Sequence, residues 1–328
     1  MKCVKTQDAV GHVLCHDITQ IIKDVKKGTA FRKGHIVTEE DIPVLLSLGK
    51  DNLYIWEKKE GILHENEAAE YLRDICINEN MSQSEVKEGK IEIIAEIDGL
   101  LKINVESLRA VNSLGEMMIA TRHTNTTVKK GDKLAGTRII PLLIEQEKME
   151  KAKEVAGNSP ILSLMPFKKK KVGIVTTGNE VFYGRIKDTF GPVVAEKVKE
   201  FGADVIGQTI VNDDMEKIAK ATESFIEQGA DMVLCTGGMS VDPDDKTPGA
   251  IKSTGARIVS YGAPVLPGAM MLLAYYKKDE KEIPIVGLPG CVMYSKRTVF
   301  DLVLPRLMAD DMVTSDDLAG LGLGGLCL

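Results

Sequence analysis

Val233-Leu-Cys-Thr-Gly-Gly-Met-Ser-Val-Asp-Pro-Asp-Asp-Lys-Thr-Pro-Gly-Ala250 decides how the rest of the chain is read. The run Asp231-Met-Val-Leu-Cys235 is short and apolar, as expected of a buried parallel strand. It stops at Thr236-Gly237-Gly238. A polar loop with three carboxylates follows, Asp242, Asp244 and Asp245. Thr247-Pro248 then reads as a helix N-cap with proline at the first helical position. Strand, glycine pair, acidic loop and helix start together build an anion site beside a place for a metal. Paired glycines let a phosphate approach the backbone, and a helix N-terminus offers unpaired N–H groups. The carboxylates suit Mg2+ or proton transfer. An ordinary solvated loop between strand and helix uses the same residue types, so this stretch needs support from elsewhere.

The support lies on both sides of it. From Lys168 onward, strand and helix patterns alternate. Val172–Thr177 reads as a buried strand ending in Thr177-Gly178-Asn179-Glu180-Val181. A helix is expected over Asp188–Phe201 and a strand over Gly202–Val211. Asn212-Asp213-Asp214 caps a helix that runs through Gln228. Val259–Gly262 is a strand, and Met271–Tyr276 with Ile283–Gly287 forms a hairpin. Gly287-Leu-Pro-Gly290 is a third glycine turn after a strand, and it opens a helix expected over Val292–Leu307. Three turns at the carboxyl ends of strands converge on one crevice in an open α/β sheet. Together they point to a phosphorylated ligand held by backbone N–H groups with carboxylates nearby. No Walker A sequence occurs, and no complete G-x-G-x-x-G follows a strand, so a standard nucleotide fold is not supported.

The chain has 328 residues, enough for two or three domains. It is 44% hydrophobic and 27% charged, the balance of an ordinary globular protein. A net charge of −6 argues against nucleic acid as the main partner. No signal peptide is visible, and no window is apolar for the roughly 18 residues that a membrane helix needs. The six cysteines are scattered without a C-x-x-C, which fits free thiols in a cytoplasmic protein. Lys168–Lys171 is the one dense basic run and reads as solvating a strand start.

The first half shows no catalytic spacing. His12, Cys15 and His16 lack a fourth ligand at a usual interval, and alternation along a short strand explains them. Thr38–Gly49 reads as a helix capped by Thr38, and Asn52–Trp56 as a strand with Trp56 in the core. A helix is expected around Ala68–Leu72. Ile91–Ile97 and Leu100–Asn104 look like a hairpin turned at Asp98-Gly99. Val105–Leu114 reads as a short helix. Glu116–Thr121 and Val128–Ile140 add strands, residues 142–156 a helix, and Asn158–Pro166 a linker.

The stretch from Lys171 to Met308 resembles the molybdopterin-binding domain of molybdenum cofactor biosynthesis proteins. Thr177-Gly-Asn-Glu-Val181, Thr236-Gly-Gly-Met-Ser240 with Asp242 and Asp245, and Gly287-Leu-Pro-Gly290 match its three signature regions in order. The resemblance implies a three-layer α/β/α domain over residues 168–310 that binds the pterin phosphate, with an Asp of the glycine-rich loop important for catalysis. Carried over to this chain, Asp242 and Asp245 are the catalytic and Mg2+-binding candidates. Thr177, Gly178, Glu180, Thr236, Gly237, Gly238, Ser240, Thr247, Gly287, Pro289 and Gly290 are the candidate ligand contacts. Ala9–Ile18 and Leu45–Gly49 are similar to the opening of the molybdopterin molybdenumtransferases, over residues 1–60. Residues 61–167, a smaller α+β, β-rich region, depart from that pattern, and residues 311–328 are a tail expected to be flexible. The implied ligand is molybdopterin or its adenylated form, and the implied activity is help in inserting molybdate. A homo-oligomer and contacts with other cofactor-biosynthesis proteins are also implied. A non-catalytic molybdopterin carrier or sensor fits the same residues. Asn179–Gly184, Val211-Asn-Asp-Asp214 and Asp244-Asp-Lys-Thr247 also resemble the competence-damage-inducible family, which implies a hydrolase of pyridine nucleotides.

Overall fold

The computed structural model describes residues 2–22, 26–55 and 60–326, so Trp56 lies outside the described residues. The chain divides into two compact units. One comprises residues 1–97, 101–124 and 129–164. The other comprises residues 165–328 with the short pieces 98–100 and 125–128.

The second unit is a six-stranded sheet covered by helices on both faces. Its strands are β1 (Lys171–Thr177), β2 (Asp204–Val211), β3 (Met232–Thr236), β4 (Arg257–Tyr261), β5 (Leu272–Lys278) and β6 (Lys281–Leu288). They lie in the order β2-β1-β3-β6-β5-β4. The four strands β2, β1, β3 and β6 run parallel, and β5 and β4 join antiparallel. All five residues of β3 are buried, because a central parallel strand is covered on both sides.

Side-chain parity sorts the two layers. Val172, Ile174, Leu234 and Val286 share one core with α2 (Phe190–Lys199) and α5 (Val299–Met308), while α1 (Asn179–Phe182) is a single turn after β1. Val175, Val233, Cys235 and Ile285 share the other core with α3 (Met215–Glu227) and α4 (Thr247–Ser253). The result is the expected α/β/α stack, and the β5–β6 hairpin is where the sequence placed it.

Several boundaries moved for identifiable reasons. The helix expected from Val292 begins at Val299: residues Gly290–Met293 make one 3-10 turn, and Thr298 with Asp301 forms the capping box that starts α5. Thr247 is not an N-cap but the first residue of α4. In the first unit, Thr38 stands before the helix Asp41–Ser47; its N–H and hydroxyl donate to the Asp41 carboxylate, each at 2.8 Å. The expected hairpin at Asp98-Gly99 does not form. Strand Lys90–Ala95 is flanked by Met81–Gln83 and Lys133–Ile139, whereas Gly99–Ile103 sits between Thr126–Val128 and Leu162–Pro166. Four of the five residues in Gly99–Ile103 are buried, the mark of a central strand rather than a hairpin arm. Leu162–Pro166, expected as linker, is therefore a strand.

The tail is ordered as well. Thr314 and Asp317 cap α6 (Ser315–Gly320), and Val313 and Leu318 are buried. Arg306, only 6% exposed, pairs with Asp311 and with Asp317 at 3.0 Å. The Leu266 N–H donates to the Gly325 carbonyl at 2.8 Å. Two apolar residues and a non-local ion network hold this segment, a signal too sparse for periodicity to detect. Among the described residues no helix is long and apolar enough to cross a membrane.

Two expectations follow from this packing. A Cβ on Gly173 would stand 2.4 Å from Phe225 Cγ, inside the layer between β1 and α3. Gly173→Ala should destabilise the protein by about 1–3 kcal/mol in denaturant melts, the usual cost of overpacking a core. Burial alone would raise the Asp317 carboxyl, but hydrogen bonds from Arg306 and Thr314 outweigh it and hold the group down at about 2. A depressed carboxyl stabilises the fold above its unfolded value and loses that contribution as pH falls through the folded value. Thermal stability should therefore drop more steeply between pH 4 and pH 2 in the wild type than in Asp317→Asn.

Candidate functional site

The site is built at the carboxyl ends of β1, β3 and β6, all within the second unit. β3 runs into Gly237 and Gly238, whose φ angles of +87° and +57° fall in the left-handed region. Glycine is required there on space as well as angle. A Cβ on Gly237 would lie 2.4 Å from the Thr177 carbonyl oxygen, and one on Gly238 would lie 2.8 Å from Thr247 Oγ1. The turn after β1 and the turn after β3 are thus packed backbone to backbone. Gly237, Gly238, Met239, Ser240, Asp245, Met270, Pro289 and Gly290 line a crevice of about 250 Å3. That volume is below the 300–1,000 Å3 of sites that enclose a drug-sized ligand, so it suits one end of a larger molecule.

Threonine hydroxyls lock this geometry. Thr247 Oγ1 donates to the Gly237 carbonyl at 2.8 Å, Thr177 Oγ1 donates to the Thr236 carbonyl at 3.2 Å, and the two hydroxyls stand 3.3 Å apart. Thr236 Oγ1 donates to Thr176 Oγ1 at 3.2 Å. All three candidate threonines, Thr177, Thr236 and Thr247, are buried and spend their hydroxyls within the protein. Gly287 is buried under Met239, whose Sδ lies 2.5 Å from where a Cβ would be. Pro289 and Gly290 face the crevice directly.

Of the two N–H sources that the sequence suggests, the glycine turn and the start of α4, the second is largely spent inside the protein. The Thr247 N–H donates to the Gly238 carbonyl at 3.2 Å, Pro248 has no N–H, and the Ala250 N–H donates to the Lys246 carbonyl at 2.9 Å. The Thr247 and Ala250 N–H groups at the start of α4 are therefore occupied. By contrast, among the described residues none accepts from the N–H of Gly238, Met239 or Ser240. Successive N–H groups after a left-handed turn form a concavity suited to an anion.

Carboxylates border it on one side. Asp245 lines the crevice, and its N–H donates to the Asp242 carbonyl at 3.0 Å, while Asp242 itself stands on the exposed outer part of the loop. Glu180 folds back over Gly178, with Oε1 2.6 Å from where a Cβ would be. Asp213, read from sequence as part of a helix cap and of the Val211–Asp214 motif but not as a site residue, belongs to this group. Its Oδ2 accepts from the Asn179 N–H at 2.9 Å, joining the end of β2 to the turn after β1. Burial and the charges of Glu180, Asp244 and Asp245 push its carboxyl above the usual range, against the pull of the Asn179 bond. The helix-cap motif around Asp214 concealed this role; the position of Asp213 at a strand's carboxyl end was the signal available.

Among the described residues no three His, Cys, Asp or Glu side chains come together closely enough to hold a metal alone. The acidic loop fits Mg2+ only in the manner usual for that ion, with one or two carboxylates and the remaining ligands from phosphate and water. In the first unit, His12 is exposed, and the Cys15 carbonyl bonds His64 Nε2 at 2.5 Å. A larger cleft of about 510 Å3 lies at the amino ends of the strands, lined by Lys168–Lys170. Its charges are mostly paired within the protein, Lys170 with Asp310 and Lys281 with Asp231 at 3.7 Å.

Residues 173–309 match a family model described as "Probable molybdopterin binding domain". This segment belongs to that family. Residues 3–57 match a second model, "Domain of unknown function (DUF8806)". A molybdopterin molybdenumtransferase of Synechococcus elongatus is 27% identical over 182 residues, 53% of this chain and 42% of that protein. A CinA-like protein of Mycobacterium tuberculosis is 36% identical over 77 residues, 24% of this chain and 18% of that protein. The chain thus matches less than half the length of these relatives. A tungsten cofactor synthesizing protein MoaB from Pyrococcus furiosus is similar at 23% identity over 43% of this chain and 89% of that one, with a TM-score of 0.34. The α/β class of the molybdopterin-binding domain rests on the sheet order and layers described above.

Asp213 gives the site a testable electrostatic signature. A partly buried carboxylate among like charges weakens the folded state at neutral pH, and the penalty disappears once the group is protonated. Asp213→Asn should raise the unfolding midpoint by about 2 °C near pH 7. The gain should vanish below pH 4, as followed by calorimetric scans across pH.

Proposed function

We propose that the second unit binds the phosphate end of molybdopterin, in its adenylated form, and assists the insertion of molybdate. The observation that carries this reading is the run of three unpaired N–H groups, Gly238 to Ser240, beside the Asp245 carboxylate. The N–H groups take a phosphate oxygen. The neighbouring Asp245 carboxylate would hold Mg2+ against that phosphate, and the ion would supply neutralisation of the phosphate charge there. Asp245 is the catalytic and metal-holding residue, and Asp242 supports it from the outer turn by accepting its N–H. Glu180 and Asp213 form the opposite acidic wall. Gly178, Gly287, Pro289 and Gly290 admit the ligand's backbone-close approach, while Thr177, Thr236 and Thr247 hold the turns in register. Membership of residues 173–309 in the molybdopterin-binding family supports the ligand class. The molybdenumtransferase relative supports the reaction.

The test is calorimetric titration with molybdopterin and, separately, adenylated molybdopterin, with Mg2+ and molybdate, followed by assay of turnover. Preferential binding of the adenylated form is expected. Asp245→Ala should cut turnover by about 100-fold or more while changing affinity by less than about 5-fold, as for a group acting mainly in the transition state. Asp242→Ala should have a far smaller effect on turnover. Binding without turnover in the wild type would make the protein a carrier. Failure to bind either pterin, with turnover of an ADP-ribose probe, would replace the reading with that of the CinA-like relatives.

A further inference from the structure

The acidic loop between β3 and α4 is exposed from Ser240 to Asp244, yet it carries the carboxylate on which the site depends. A loop of this kind positions a side chain only if both ends are fixed. One end is fixed by Thr247, whose hydroxyl and N–H bond the Gly237 and Gly238 carbonyls. The other end is Met239, 4% exposed, whose side chain fills the space above Gly287. Its carbonyl, and that of Ser240, accept from one hydroxyl: Tyr261 Oη donates to Met239 O at 2.8 Å and lies 3.4 Å from Ser240 O.

Tyr261 is well suited to hold a loop still. It is the last residue of β4, paired opposite Leu272 at the start of β5. The segment that follows is braced by the Gly262 N–H on the Met271 carbonyl and by the Val299 N–H on the Pro267 carbonyl. The phenol therefore projects from a rigid edge of the sheet, and it stands close enough to Asp245 for that charge, after burial, to raise its ionisation. It remains a hydrogen-bond donor at neutral pH.

We propose that Tyr261 is the positioning residue of this site: its hydroxyl anchors the Met239–Ser240 end of the acidic loop and thereby sets where the Asp245 carboxylate stands over the crevice. The inference rests on the crevice being the ligand site. Tyr261 touches no ligand atom in this role, and it acts through the loop backbone. Its ring is 44% exposed, so removing the hydroxyl leaves the core intact.

The experiment compares wild type with Tyr261→Phe, each also in an Asp245→Asn background. In the ligand-free protein, hydrogen exchange of the Asp245 amide, which is bonded to the Asp242 carbonyl, should be about 5- to 10-fold faster in Tyr261→Phe, the equivalent of one lost hydrogen bond, with the unfolding midpoint unchanged. Turnover of adenylated molybdopterin with Mg2+ and molybdate should fall about 5- to 10-fold when Asp245 is present and should not fall further in Asp245→Asn. Unchanged exchange would overturn the proposal. So would equal losses of turnover in both backgrounds, because a general structural defect does not depend on Asp245. If the wild type binds neither pterin, the ligand reading fails by itself, and the exchange measurement alone then decides whether Tyr261 fixes the loop.

Discussion

The site depends on one close approach, that of Gly237 to the carbonyl of Thr177. The turn after β3 can cross the end of β1 only because residue 237 has no side chain and accepts a left-handed backbone. From that crossing the rest follows. Thr247 reaches the Gly237 carbonyl, so α4 is tethered to the turn it follows. Among the described residues none accepts from the N–H groups of Gly238 to Ser240. The acidic loop is then obliged to leave and return at the mouth of the crevice. Buried threonines supply the hydrogen bonds that a bare glycine turn lacks, and a buried polar network of this kind specifies a single arrangement when every member is satisfied.

The sequence made the second unit legible because its signals are local and repeated. Each parallel strand is a short apolar run, each ends in a glycine or acidic turn, and three such turns can meet in only one place in an open sheet. What it did not disclose were facts that depend on neighbours distant in sequence. Asp213 looks like a cap residue until β2 is laid beside β1 and the Asn179 N–H comes within reach. Tyr261 looks like the end of an edge strand until its hydroxyl meets the Met239 carbonyl. The start of α4 looks like an anion site until Thr247 is seen to spend its N–H on Gly238. Asp98-Gly99 has the composition of a hairpin turn, but the buried strand Gly99–Ile103 takes other partners.

The acidic wall shows a trade between stability and function. Asp213 is partly desolvated and is repelled by Glu180, Asp244 and Asp245 in the free protein. A cation placed among them relieves that repulsion, so the unliganded site is held ready at a cost to the fold, as is common where charge must be met. The small crevice and the adjoining charges divide the work. In the proposed reading, backbone N–H groups fix one end of the ligand, and Asp245 faces the part that projects from it.

The central claim is that the unpaired N–H groups of Gly238, Met239 and Ser240 receive a phosphate oxygen. The most direct measurement is a crystal structure of the protein with adenylated molybdopterin and Mg2+. Phosphate oxygens at about 2.7–3.2 Å from those three nitrogens, with the metal ion against Asp245, are the predicted result. A ligand seated in the cleft at the amino ends of the strands, or one whose phosphate makes no bond to Gly238–Ser240, would contradict the account.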